Sequence, residues 1–236
     1  MGFNAGGGNT IGSHNIFIGT ESGISNTIGN YNCFLGFHTG ISNIEGSNNI
    51  FLGYEAGNDN KGSYNTFVGS QAGRSNTSGS HNFFAGTEAG WGNIDGGWNT
   101  YVGLYAGRES VSSFSNVSIG TFAGQNNQRS QNVFVGFNSG TSSNSGASVA
   151  IGFNAGQNMS GDMNTCLGYS AGQYANGHFN VIIGSQAGQN LTGVDNVIIG
   201  QQAGMIAKRS NIIIGNYAAK TRWANWRLYI DVMDQD

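Results

Sequence analysis

The 236-residue sequence contains no proline, and only 9% of its residues are charged, against about 25% in an ordinary globular protein. Its two cysteines are too few for a disulfide framework. The net charge of −3 provides no basic surface for nucleic acid. No apolar run approaches the roughly 18 residues of a membrane-spanning helix, and the first residues lack the pattern of a secretory signal peptide. These absences argue against a disulfide-stabilised domain, a nucleic-acid-binding protein and insertion into a membrane.

Glycine is abundant, with 41 residues, and it belongs to a repeat. Residues 65–73 read NTFVGSQAG, and residues 82–90 read NFFAGTEAG. Each unit has an opening Asn, three apolar or small residues, Gly, two variable residues, a small residue, Gly and a polar spacer. Units begin every 15–17 residues, at Asn15, Asn32, Asn49, Asn65, Asn82, Asn99, Asn116, Asn132, Ser148, Asn164, Asn180, Asn196 and Asn211.

The repeat predicts an all-β fold, a β-solenoid or β-roll of about thirteen coils. Units of 15–17 residues are too short for helical repeats, which need about 33 residues. A short strand followed by tight turns fits this length, and such coils stack at about 4.8 Å, which gives a rod about 60 Å long. We expect the repeat array to span residues 1–204. Residues 205–236 break the pattern with basic residues and two tryptophans, and they are predicted to form the last coil and a C-terminal cap or a joint to a further domain.

Both faces of the predicted strand are apolar. The middle of the triplet is usually Phe or Ile, as at Phe34 and Ile182, and the last position is usually Ile, Leu or Val, as at Leu35. Successive strand residues point to opposite sides, and a thin coil has only one interior. The second apolar face therefore predicts packing against another copy of the chain. We also expect the opening Asn residues to form a ladder and the turn glycines, such as Gly19, to have positive φ.

The phrases NTFVGSQAG, NVIIGSQAG and NIFLGYEAG resemble the repeats of bacterial surface proteins and phage-type tail fibres. They are also similar to the shorter NSVAIG repeats in the heads of trimeric autotransporter adhesins. The resemblance covers residues 2–219, and the tail WRLYIDVMD resembles the exit from such a shaft toward an attachment or chaperone domain. It implies a homotrimeric β-roll with the apolar strands between subunits, located on a cell surface or on a virion-like particle.

Candidate chemical groups are scattered. His14 and His81 share a column but lie four coils apart, about 19 Å, which is too far for a shared metal. Glu21, Glu55 and Glu88 share another column without a recognisable general acid. Cys33 and Cys166 occupy different columns and are predicted to be buried free thiols. The sequence predicts no catalytic residue, no metal site and no cofactor.

Aromatic residues form the one candidate binding surface. Tyr31, Tyr64 and Trp98 precede the opening Asn of their coils, Tyr54 follows a turn glycine, and Trp91 lies in a spacer. If their rings are exposed, they suit a cell-surface glycan or receptor; otherwise they pack at the edges of a trimer. The leading hypothesis is therefore a rigid trimeric segment of an extracellular fibre or adhesin without catalytic activity. The alternative is a carbohydrate-binding solenoid that uses these aromatic columns.

Overall fold

The structure is a computed structural model that describes residues 2–205 and 207–219, and also the backbone of residues 228–230. The chain divides into two compact units, and the boundary lies between Gln128 and Arg129. All regular elements of the described residues are β-strands. Among these residues, no helix has the length and apolar character needed to cross a membrane.

Every strand has three residues. The strands of unit 1 are Ile16–Ile18 (β1), Cys33–Leu35 (β2), Ile50–Leu52 (β3), Thr66–Val68 (β4), Phe83–Ala85 (β5), Thr100–Val102 (β6) and Val117–Ile119 (β7). The strands of unit 2 are Val133–Val135 (β8), Val149–Ile151 (β9), Thr165–Leu167 (β10), Val181–Ile183 (β11), Val197–Ile199 (β12), Ile212–Ile214 (β13) and Leu228–Ile230 (β14).

Within each unit, consecutive strands pair in parallel and in the register of the sequence repeat. Phe34 of β2 pairs with Phe51 of β3, and Ile182 of β11 pairs with Ile198 of β12. The turns also bond from coil to coil; for example, the amide of Gly40 donates to the carbonyl of Ala56 at 3.1 Å. This arrangement confirms the predicted β-solenoid and its coil length. The thirteen predicted repeats contain β1–β13, and β14, which pairs with β13, was not counted among them.

The middle residue of each strand points into the coil. In unit 1 this position forms a column of parallel rings at Phe34, Phe51, Phe67, Phe84 and Tyr101, with centroids 4.6–4.9 Å apart and interplanar angles of 6–9°. A buried alanine column, which includes Ala56 and Ala72, lies on the same interior. The repeat therefore places similar side chains on top of one another at the distance between coils. Aromatic stacking adds to the stabilisation that comes from hydrophobic burial.

Unit 2 fills its interior differently. The middle residues of β8–β13 are Phe134, Ala150, Cys166, Ile182, Ile198 and Ile213, and all six are buried. Where the middle strand residue is as small as Ala150, a larger residue from the spacer helps to fill the interior of the coil. Met159 and Leu191 are buried in unit 2 at the spacer position where unit 1 has asparagines such as Asn43. The volume lost by replacing Phe with Ala150 is thus partly supplied by Met159 in the same interior.

The opening asparagines form the predicted ladder. The Asn32 side chain accepts a hydrogen bond from the backbone amide of Asn49 at 3.0 Å and donates one to the carbonyl of Gly46 at 2.8 Å. Asn49 and Asn65 repeat both contacts one and two coils further on. In unit 2 the Ser148 hydroxyl replaces the amide oxygen and accepts from the amide of Asn164 at 3.1 Å. Each side chain therefore satisfies buried backbone groups of the following coil, which would otherwise be costly.

A second, inner ladder was not predicted. It consists of Asn9, Asn26, Asn43, Asn60, Asn76 and Asn93, where each side-chain nitrogen donates to the amide oxygen of the preceding member at 2.6–3.2 Å. Ser110 stands at the next position, and the buried Oδ1 atom of Asn93 has no hydrogen-bond partner. The ladder thus ends beside Tyr101, whose hydroxyl lies 3.3 Å from the Ser113 hydroxyl.

The first and third residues of the strands form the outer strand face. In both units this face is uncharged and mainly apolar, and its exposed members include Ile16, Ile18, Leu35, Ile50, Leu52, Phe83, Ile119, Ile151, Leu167, Val181, Ile212 and Ile214. Isolated exposed apolar side chains are ordinary on a protein surface, but a continuous row of them marks an interaction surface. The structure thus places the second apolar side of the strand in solvent.

The predicted C-terminal cap or joint lies mostly outside the described residues. Its basic and tryptophan residues at 220, 222, 223, 226 and 227 belong to this part of the chain. Within residues 205–236, the structure describes residues 205 and 207–219, which include β13 and its following turn, and the backbone of β14. The division of the chain at residue 204 remains a prediction.

Candidate functional site

Three of the five predicted aromatic residues lie in one column on the flank of unit 1, here called the flank column. Tyr31, Tyr64 and Trp98 are 59%, 56% and 61% exposed. All three have left-handed backbone conformations, with φ between 56° and 62°, as do His14 and His81 in the same column. This conformation is unfavourable for bulky side chains, so hydrogen bonding from coil to coil must maintain it. The amides of Tyr31 and Tyr64 donate to the carbonyls of Ser13 and Ser47, both at 3.0 Å.

The rings of the flank column stack on one another. His14 lies on Tyr31 with centroids 4.7 Å apart, Tyr64 lies on His81 at 4.9 Å, and His81 lies on Trp98 at 5.3 Å. The interplanar angles are 10–16°. Neighbouring rings therefore cover one another's faces, and their edges remain toward solvent. Sugars stack on ring faces. Rings that have a neighbour on both sides therefore offer a sugar less stacking surface than their exposed fractions suggest.

Tyr54 belongs to a separate aromatic column. Its ring stacks on Phe37 with centroids 5.7 Å apart and an interplanar angle of 3°. The Tyr54 hydroxyl donates a hydrogen bond to the neighbouring Glu55 carboxylate. This bond and the negative charge of Glu55 raise the pKa of Tyr54. In unit 2 the equivalent column contains Phe137, Phe153 and Tyr169, which are also stacked. The structure thus does not bring Tyr54 together with the flank column.

Trp91 lies in a third environment. Its side chain is half-buried, and the Arg108 guanidinium lies 5.2 Å from its ring centroid, a cation–π distance. Arg108 also binds the Glu88 and Glu109 carboxylates, both at 2.6 Å. Trp91 is therefore covered by a charged network on the surface of unit 1, whereas the edge of the Trp98 ring is exposed to solvent.

The acidic column is paired from coil to coil. Glu21 lies 3.1 Å from His38, Glu55 lies 2.9 Å from Arg74, and Glu88 contacts Arg108. Partial burial acts to raise the pKa of Glu55, but hydrogen bonds from Gln71 and Arg74 outweigh it and hold this pKa below its usual value. Glu55 consequently has the surroundings of an ion-paired, charged group rather than those of a proton donor.

The cysteines are both free, but only one is buried as predicted. Cys166 occupies the interior middle position of β10, and burial raises the pKa of its thiol to about 12. The prediction was wrong for Cys33, which is half-buried because it is the first residue of β2 and so lies on the outer strand face. Within residues 2–205, 207–219 and 228–230, no three His, Cys, Asp or Glu side chains converge on a possible metal position.

A groove on unit 1 is a surface feature that the sequence reasoning missed. It is a shallow, open concavity of about 760 Å³. Its lining residues are Ile28, Asn30, Glu45, Ser47, Lys61, Gly62, Ser63, Thr77, Ser78 and Ser80. The signal that points to it is the spacing of 16 between Asn49 and Asn65, which lies between two spacings of 17.

No protein-family model matches the chain, and no curated protein sequence matches it. The class of the protein therefore rests on its own structure. It is a parallel β-solenoid repeat protein with asparagine ladders, an apolar outer strand face and a flank of stacked aromatic rings.

Proposed function

We propose that the chain is a structural segment of an extracellular fibre or adhesin in which three copies associate through their outer strand faces. The observation that carries this proposal is the uncharged row of exposed Ile, Leu, Val and Phe side chains along that face. Covering such a row removes apolar surface from water at about 25 cal/mol per Å². A fibre segment of this kind holds a receptor-binding part away from a cell or a virion-like particle and has no catalytic role.

The internal construction supports a mechanical role. Within each unit, neighbouring coils are joined by backbone hydrogen bonds and by asparagine ladders. Repeat proteins of this type obtain their stability from the contact of each repeat with its neighbours. The trimeric arrangement itself comes from the resemblance of the repeat phrase to fibre and adhesin shafts, in which the apolar strands meet between subunits.

Substitution of Leu52 by Glu is expected to dissociate the assembly. Leu52 is on the outer strand face and 41% exposed in the single chain, so three copies would bury three carboxylates against apolar neighbours. Ile94→Glu is the matched control, because Ile94 is 44% exposed but lies in a spacer. Light scattering should give one chain mass for Leu52→Glu and an unchanged mass for Ile94→Glu. Equal masses for both variants and the unsubstituted protein would contradict the proposed interface.

A second candidate function is carbohydrate binding by the flank. It is favoured by the exposed aromatic rings that occupy left-handed positions, where smaller residues such as Asn would be less strained. The partner would be a cell-surface glycan. This function is compatible with a fibre, because repeated coils present similar side chains several times along one molecule.

A further inference from the structure

The groove of unit 1 originates in a coil that is one residue short. Lys61 alone stands between Asn60 and Gly62, whereas two residues, Ile44 and Glu45, stand at this place in the preceding coil. The following coil also has two residues at this place, Thr77 and Ser78. The outline of the stack is therefore indented at Lys61, and residues from the coils on both sides line the groove.

The short coil leaves hydrogen-bonding groups without a backbone partner. The amides of Thr27 and Ile28, one coil before Ile44, both donate to the Ile44 carbonyl, at 2.9 and 3.2 Å. Among the described residues, the amides of Ile44 and Glu45 donate no such bond to the short coil. The Ser63 hydroxyl accepts from the amide of Ser47 at 3.0 Å, and its own proton has no acceptor in the described part of the chain. The groove thus retains donors for a polar ligand.

The flank column is interrupted beside the same coils. Asn48 stands between Tyr31 and Tyr64, and no ring in the described residues covers the Tyr31 and Tyr64 faces that are turned toward it. Two steps of about 4.8 Å separate the two coils, which gives about 10 Å between the rings. A flat ring placed midway would lie about 5 Å from each, within the range of stacking contacts. The groove residues Asn30, Ser47 and Ser63 directly precede these three side chains.

We propose that the gap between the Tyr31 and Tyr64 rings at Asn48, here called the notch, and the adjoining groove bind one pyranose ring of a carbohydrate chain. The proposal rests on the second candidate function and narrows it to one place. The sugar's C–H faces contact Tyr31 and Tyr64, and the Asn48 amide lies at its edge. Its hydroxyl groups meet the Ser63 hydroxyl, the Glu45 carboxylate and the Lys61 ammonium.

Carbohydrate is the ligand class that fits this combination of groups. A pyranose has apolar faces and hydroxyl groups at its rim that both donate and accept hydrogen bonds. The groove supplies an acceptor in the Glu45 carboxylate, donors in the Lys61 ammonium and the Glu45 backbone amide, and hydroxyls that do both. A nucleotide would bring phosphate charge next to Glu45, with Lys61 as the single basic residue of the groove lining.

The test uses fluorescent dextran, mannan, galactan and a chito-oligosaccharide as probes, with binding followed by fluorescence anisotropy. We expect at least one probe to bind the unsubstituted protein, and Tyr31→Ala and Tyr64→Ala each to weaken it about tenfold or more, which corresponds to 1.4 kcal/mol of lost stacking. Trp98→Ala is the matched control, because Trp98 has the same column, conformation and exposure but lies away from the notch. Its affinity should be unchanged.

A second variant tests the groove without removing any side chain. Insertion of one Thr between Asn60 and Lys61 restores the 17-residue spacing and fills the indentation. We expect this variant to keep its circular dichroism spectrum and native mass and to lose probe binding. Unaltered binding by the insertion variant, or by both Tyr variants, would overturn the proposal.

The remaining outcomes separate the proposal from both candidate functions. If Trp98→Ala loses binding as strongly as Tyr64→Ala, the flank as a whole binds carbohydrate and the notch proposal is overturned. If no probe binds, both the notch and the flank function are overturned. The fibre proposal is unaffected by either result, because its readout is the native mass and its residues are on the outer strand face.

Discussion

The Phe84→Ala variant is expected to lose about 3–5 kcal/mol of folding stability, the usual cost of truncating a buried Phe. Phe84 is 0% exposed, and its ring is stacked between Phe67 at 4.9 Å and Tyr101 at 4.8 Å. Truncation leaves a cavity that the rigid coil spacing prevents from closing, because backbone hydrogen bonds hold the coils above and below. Urea unfolding followed by circular dichroism, at one fixed protein concentration, measures the loss.

Phe37→Ala is the control for this variant. Phe37 is also a stacked phenylalanine of unit 1, but it lies in the separate surface column of Tyr54 and is 43% exposed. We expect a loss of about 1 kcal/mol or less, since surface substitutions away from buried groups usually have small effects. Equal losses for the two variants would mean that the middle strand position is not the interior of the coil.

The Gly152→Ala variant is expected to lose about 2–5 kcal/mol. Gly152 directly follows β9 and has a φ of 135°, and an added Cβ atom would lie 2.5 Å from the carbonyl oxygen of Gly168 in the next coil. The backbone conformation costs a residue with a Cβ about 1–2 kcal/mol, and relieving the overlap costs about 1–3 kcal/mol more. The overlap is with backbone, so no side-chain rotation removes it. The same urea unfolding experiment measures the effect.

Gly146→Ala is the matched control for Gly152→Ala. Gly146 is in the same unit, its φ is not positive, and its nearest contact for an added Cβ atom is Asp162 Oδ1 at 3.4 Å, an ordinary van der Waals distance. We expect its stability to change by about 0.5 kcal/mol or less. A Gly152→Ala variant as stable as Gly146→Ala would show that the coils are further apart than the structure has them.

The solenoid could be predicted because a period of 15–17 residues allows few other folds. The roles of two residue types can be recognised in the sequence because they are local. The opening Asn residues satisfy backbone groups at a corner, and the turn glycines adopt a left-handed backbone. The choice of inward strand residue was harder, because Phe34 and Leu35 are both apolar. Packing decides it: an added Cβ atom on Gly73 would lie 2.5 Å from the Phe67 ring, so the turn glycine and the ring meet inside the coil.

The candidate surface was less predictable because it depends on the direction of side chains. The sequence places Tyr64, His81 and Trp98 in one column, but their face-to-face stacking depends on the shared left-handed backbone. The error at Cys33 has the same origin, since one position along a three-residue strand separates the interior from the outer face. The groove depends on one missing residue beside Lys61. A comparison that looks for what the repeats share does not detect a difference confined to one repeat.

Native molar mass, measured by light scattering, tests the association of outer strand faces most directly. The proposal predicts about three times the chain mass of 24.7 kDa, with a trimer band that persists on an unboiled SDS gel. A mass of one chain at micromolar concentration would contradict it. The outer strand face would then be a surface for some other partner, and the fibre proposal would lose the observation that carries it.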